Sequence, residues 1–108
     1  MPSPAVTVVI EYRARPDRQM LALAELDALV ATVVAAEADC FGIQLLQDPA
    51  DPTRLLLIER WSSQAAYQGP HFETPHLQAF IARAAELFAG PPRIEFWARK
   101  SEYPHPAG

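Results

Sequence analysis

Four side chains able to take part in chemistry fall within one short stretch of the chain: Trp61, Tyr67, His71 and His76. Histidine titrates near neutral pH, so either imidazole could accept the proton of a phenol. His71 falls in an irregular link between helices, where loop residues tend to carry function, and it is read as the proton acceptor. His76 falls in the first turn of a helix, a poor place for a cation, which favours a neutral ring able to take a proton. The alternative for both is a plain hydrogen bond to backbone. Trp61 offers a flat aromatic wall with an N–H handle, or simply a large hydrophobe closing the core. Tyr67 is a poor base, with an ordinary phenol pKa of ~10, but a serviceable donor; otherwise it covers a short helix.

Other chemistries find little support. His71 and His76 are five residues apart, which misses the same-face i,i+4 geometry of a helical metal site, and Glu73 points elsewhere. Cys40 is the single cysteine, so neither an intrachain disulfide nor a thiolate cluster can form, and it reads as a small buried hydrophobe. No glycine loop suited to cradling phosphate appears. Arg60 and Arg83 could meet an anionic substrate, although a solvated surface pairing is the plainer reading. Nine basic residues against thirteen acidic ones give a net charge of −4 with no basic stripe, so nucleic acid is not an expected partner. No stretch reads as a signal peptide or a membrane span, which leaves a cytoplasmic setting as the expectation.

The elements that must position these groups follow from periodicity. Val6–Tyr12 is β-branched and alternating, hence a strand. Pro16 and Asp17 are expected to open a helix running to Ala36, with Met20, Leu23, Leu26, Val30, Val33 and Val34 as its core stripe. Phe41–Gln47 and Arg54–Trp61 read as two strands joined by the turn cluster Asp48-Pro49-Ala50-Asp51-Pro52-Thr53, an antiparallel hairpin with Phe41, Ile43 and Leu45 on one side. Ser62-Ser63 can cap a short helix through Tyr67, ended by Gly69-Pro70. Thr74 caps a second helix with Pro75 at its first position and Leu77, Phe80, Ile81, Ala84, Leu87 and Phe88 facing inward. Ile94, Phe96 and Ala98 alternate in a last strand, and residues 101–108 form a tail. The order β-α-β-β-α-β in 108 residues gives one α+β domain of ferredoxin-like topology, with both helical regions on one face of a four-stranded antiparallel sheet. Leu55 and Leu57 oppose Leu56 and Ile58, so both sheet faces are apolar and a homodimer through the bare face is expected.

The runs Asp39-Cys40-Phe41-Gly42-Ile43-Gln44-Leu45-Leu46, Ile58-Glu59-Arg60-Trp61-Ser62-Ser63 and His71-Phe72-Glu73-Thr74-Pro75-His76-Leu77-Gln78-Ala79-Phe80, in that order, resemble the antibiotic-biosynthesis-monooxygenase family over roughly residues 5–99. The family pattern has a glycine where Asp39 stands. The resemblance implies a dimeric α+β barrel, a pocket between sheet and helices, and, in some members, oxygenation of electron-rich phenols, anthrones or hydroquinones by molecular oxygen without a cofactor. It therefore implies a small aromatic ligand, with His71, Tyr67 and Trp61 catalytic and His76, Phe72 and Phe80 contacting substrate. Heme-degrading members carry an asparagine on strand one and a histidine on the last helix. Strand one here has no asparagine and the helix position is Phe80, which argues against heme. A small-metabolite isomerase or a non-catalytic, stress-related ligand-binding dimer remain alternatives on the same fold.

Overall fold

A computed structural model describes residues 4–107. The elements are β1 (Val6–Arg13), α1 (Gln19–Ala36), β2 (Cys40–Gln47), β3 (Arg54–Trp61), α2 (Gln64–Gln68), a 3-10 turn (Pro70–Glu73), α3 (Pro75–Leu87) and β4 (Arg93–Trp97). The sheet order is β2-β3-β1-β4 and every neighbouring pair is antiparallel. This is the expected ferredoxin-like arrangement, with the helices on one face.

Register decides what each face carries. Val8, Ile10 and Tyr12 of β1 oppose Glu59, Leu57 and Leu55 of β3, and all six are buried beneath the helices. Val9, Leu56 and Ile58 alternate onto the other face with charged neighbours Glu11, Arg54 and Arg60. Trp97 at the end of β4 pairs with Thr7 on that open face and is 56% exposed.

Five expectations are corrected. Helix α1 begins at Gln19 rather than Pro16, because the Arg18 N–H donates to Arg15 O in a turn and the first α-helical bond runs from Ala22 N–H to Arg18 O. Its buried residues are Ala22, Leu26 and Val33, whereas Met20 is 84% exposed and Val34 also faces outward. The helix is apolar nearly all round, so periodicity of the larger residues does not single out the inward face. It is also long and apolar enough by composition to cross a membrane, contrary to the sequence reading, although here it packs against β2 and α3. In β2 a bulge lies between Cys40 and Gly42, so Cys40 turns inward and Phe41 stands exposed, off the side shared by Ile43 and Leu45. Gly42 takes a positive φ of 157°, and a Cβ there would come within 2.8 Å of the Arg60 guanidinium that donates to Phe41 O. On α3, Ile81 is exposed although the sequence placed it on the core stripe.

Both predicted helix starts at the second helical region hold. Ser63 Oγ accepts from Ala66 N–H at 3.0 Å, and Thr74 Oγ1 accepts from Leu77 N–H at 3.4 Å. Thr74 Oγ1 also donates to His71 O at 2.8 Å, so the cap of α3 fixes the 3-10 turn that carries the histidine.

Candidate active site

The helix-facing end of β3 meets the short helical segments in an aromatic cluster. Alternation along Leu55, Leu57, Glu59 and Trp61 points all four inward. The Trp61 indole is fully buried; its ring centroid lies 4.6 Å from the His71 imidazole and 5.6 Å from Tyr67. Tyr67 stacks on His71 at 5.2 Å and meets Phe72 and Phe96 edge-on at 5.3 and 5.7 Å. Four of the six residues singled out in the sequence, Trp61, Tyr67, His71 and Phe72, therefore share one interior cluster.

His71 is 4% exposed, and its Nδ1 lies 2.9 and 3.0 Å from the two carboxylate oxygens of Glu37. His76 sends its Nε2 to the same carboxylate at 2.7 Å. A carboxylate only accepts, so both nitrogens carry their protons, and His71 keeps Nε2 as its free acceptor. Burial lowers the His71 pKa, Glu37 opposes that shift, and His76 adds to it. The outcome is a neutral base in a fixed tautomer, oriented by a carboxylate as in a nucleophile-activating triad. His76, with its Nε2 engaged on Glu37, has Nδ1 as the ring nitrogen that could accept a proton. Tyr67 is pushed well above the ordinary phenol range, chiefly by burial, and stays a neutral donor.

Two groups escaped the sequence reading. Glu37 follows α1 directly and ties its C-terminal end to the 3-10 turn and to α3. Nothing local marks it, because its partners lie 34 and 39 residues away. Glu59 is 4% exposed and accepts from Trp61 Nε1 at 2.8 Å. Its signal was present: strict alternation puts this carboxyl among Leu55, Leu57 and Trp61, on the core face. Burial raises its pKa to about 7, against the hydrogen bond from Trp61, with a smaller upward push from Glu37. Burial also lifts the Cys40 thiol to about 11, in keeping with an inert packing role.

Phe80 is set apart from this cluster, packing against Tyr12 and Phe88. It nevertheless meets His76 in a cleft of about 260 Å³ between α1 and α3, whose wall includes Leu29, Thr32 and Arg83. Arg83 pairs with Glu25 at 2.9 Å, the plain surface reading. The region between sheet and helices, where a pocket was expected, is filled around β3 by the rings of Trp61, Tyr67 and His71.

Comparison with known proteins places this arrangement among relatives. The family profile described as "Antibiotic biosynthesis monooxygenase" matches residues 5–83. The chain is 33% identical over 102 residues to the "Putative monooxygenase Rv0793" of Mycobacterium tuberculosis, covering 94% of this chain and 97% of that one. The solved structure of that relative superposes with a TM-score of 0.79 at 30% identity, covering 91% and 97% of the two chains. The structure of PA3566 from Pseudomonas aeruginosa superposes with a TM-score of 0.82 at 30% identity, covering 94% and 99%. An uncharacterised Synechocystis protein, sll1783, is 25% identical over 95 residues; the match covers 85% of this chain but only 61% of that relative.

Proposed function

The chain belongs to the antibiotic biosynthesis monooxygenase family, and on that premise we propose that it oxidises a small electron-rich phenol, hydroquinone or polyketide-like aromatic with molecular oxygen, using no metal or flavin. The observation that carries this reading is His71, a buried imidazole held in one tautomer by Glu37 and stacked within an aromatic cluster. A flat substrate is recognised by the same rings that surround the base. Access requires Tyr67 and Phe72 to swing aside, and both sit on helical segments of five and four residues, too short to be stable by themselves.

In this reading His71 Nε2 takes a proton from the substrate, and the electron-rich anion reduces oxygen. One oxygen atom enters the ring carbon as a quinone carbonyl and the other leaves as water. The substrate supplies all four electrons, so no external reductant is consumed. Tyr67 donates a hydrogen bond that orients the phenol, and Trp61 forms the wall behind it.

Oxygen uptake in the presence of a panel of hydroquinones and anthrones tests the reading, with labelled oxygen followed into the product. Stoichiometric uptake and one labelled atom per product are expected. Turnover without uptake would assign the chain to the isomerase alternative. Saturable binding with neither uptake nor product would assign it to the ligand-binding one.

A homodimer is part of the proposal, in a reducing cytoplasmic setting. The open sheet face carries Val9, Leu46, Leu56, Ile58 and Trp97, a run of apolar side chains that a partner sheet could cover. A second copy packed on it is expected to bury on the order of 2,000 Å² in total. Light scattering at micromolar concentration is then expected to give twice the 12.0 kDa of one chain; a mass of one chain would remove the dimer.

A further inference from the structure

The mechanism above leaves Glu59 without a task, yet its placement is expensive. It sits in mid-sheet between Leu57 and Trp61, opposite Val8 and Ile43, with a single hydrogen bond among the described residues, from Trp61 Nε1. The titratable groups that feel its charge are Tyr12 from β1, Cys40 from β2, Tyr67 from α2 and Glu37 after α1. Burial raises its pKa to about 7, and none of these groups supplies a positive charge to offset that. Glu59 and His71 also meet the same indole, one through the 2.8 Å hydrogen bond and the other ring to ring at 4.6 Å. A neutral acid and a neutral base thus flank one aromatic wall.

We propose that Glu59 is the general acid of this site, delivering its proton to the peroxide formed when oxygen adds to the substrate. The proposal rests on the monooxygenase reading. The reacting ring carbon is written as the CH2 of its keto tautomer. His71 Nε2 removes one proton, and the carbanion adds to oxygen, forming a C–O bond and a peroxide anion. Glu59 protonates the outer peroxide oxygen to give the hydroperoxide. The resulting carboxylate removes the second proton from the same carbon; that electron pair forms the carbonyl as the O–O bond breaks. The departing hydroxide takes the proton held on His71 and leaves as water. The sum is CH2 plus O2 giving C=O plus H2O, with both residues restored.

Glu59→Gln tests this, because it keeps an oxygen to accept from Trp61 and removes only the titrating proton. The variant is expected to lose about 10²-fold in kcat, the usual scale for one general acid, and to release hydroperoxide detectable by a peroxide assay. Wild-type kcat is expected to decline as pH rises through about 7, where Glu59 ionises; the variant is expected to lack that decline. Folding gives a readout without turnover. The folded pKa of Glu59 is raised from 4.5 to about 7, so the native state holds a proton there that the unfolded chain has given up. Wild-type stability therefore falls as pH rises through that window, and Glu59→Gln removes this part of the slope. Wild-type turnover with an unchanged pH profile in the variant overturns the proposal. So does a uniform loss with no peroxide release, or an identical stability slope. In each of those cases an active wild type leaves the monooxygenase reading standing. A wild type that consumes no oxygen with any phenol removes that reading and the peroxide step with it.

Discussion

His71→Ala is expected to lower kcat for a neutral hydroquinone by about 10²-fold, the usual contribution of one positioned general base. The base is set up by three features that the substitution removes together: burial, the Glu37 bond that fixes the tautomer, and the stack on Tyr67. Burial lowers the His71 pKa against the pull of Glu37, which favours the neutral ring at neutral pH. The wild-type rate should rise as pH increases through that lowered value and then level, until ionisation of any acid intervenes. Substrates already ionised at the working pH should be far less sensitive to the change. Tyr67→Phe should cost less, since it removes one hydrogen bond worth about 1 kcal/mol. Circular dichroism and light scattering on His71→Ala provide the control, because the ring also packs against Trp61. A folded variant with unchanged turnover of a neutral hydroquinone would remove His71 from the mechanism.

Trp61→Ala is expected to cost about 3–5 kcal/mol of folding stability, the range for deleting a large buried aromatic. The indole is 1% exposed, touches Tyr67 and His71, and supplies the hydrogen bond to Glu59. Its removal leaves a cavity and a buried carboxyl without its donor, and both effects act in the same direction. Domain stabilities lie at about 5–15 kcal/mol, so the loss is a large share of the whole. Trp61→Phe separates the two contributions. It keeps most of the packing and removes the N–H with a small part of the ring, so it should cost about 1–3 kcal/mol. Urea titration reads both as shifts in midpoint at constant slope. A Trp61→Ala midpoint close to that of wild type would show that the indole is not an anchor of this core.

Much of the fold was legible because its signals are local. Ser63 and Thr74 are side-chain caps whose hydrogen bonds span three residues, and both formed as read. The hairpin of β2 and β3 follows from a short turn rich in proline and aspartate between two apolar runs. Where the signal was weak, the reading slipped. Helix α1 is apolar on nearly every side, so Met20 and Val34 were assigned inward when only the sheet's position selects Ala22, Leu26 and Val33. The bulge at Cys40 and Gly42 shifted Phe41 out of the alternation, and a one-residue insertion of that kind leaves no mark in periodicity.

The candidate site divides along the same line. The family resemblance grouped Trp61, Tyr67, His71, Phe72, His76 and Phe80 at one site. The cap at Thr74 and the short helix at Ser63 fold the stretch that brings Trp61, Tyr67, His71 and Phe72 together, while Phe80 packs on Tyr12 and Phe88. Alternation in β3 also held the information that Glu59 faces inward. Only the tertiary structure decided what the histidines do. Glu37 directly follows α1, and no local rule joins it to His71 and His76; the packing of α1 against β2 and α3 brings the carboxylate to them. Tertiary burial, not residue type, then lowers the His71 pKa and raises that of Glu59 toward neutrality. Protonation is a property of surroundings, and those surroundings are assembled from segments more than thirty residues apart in the chain.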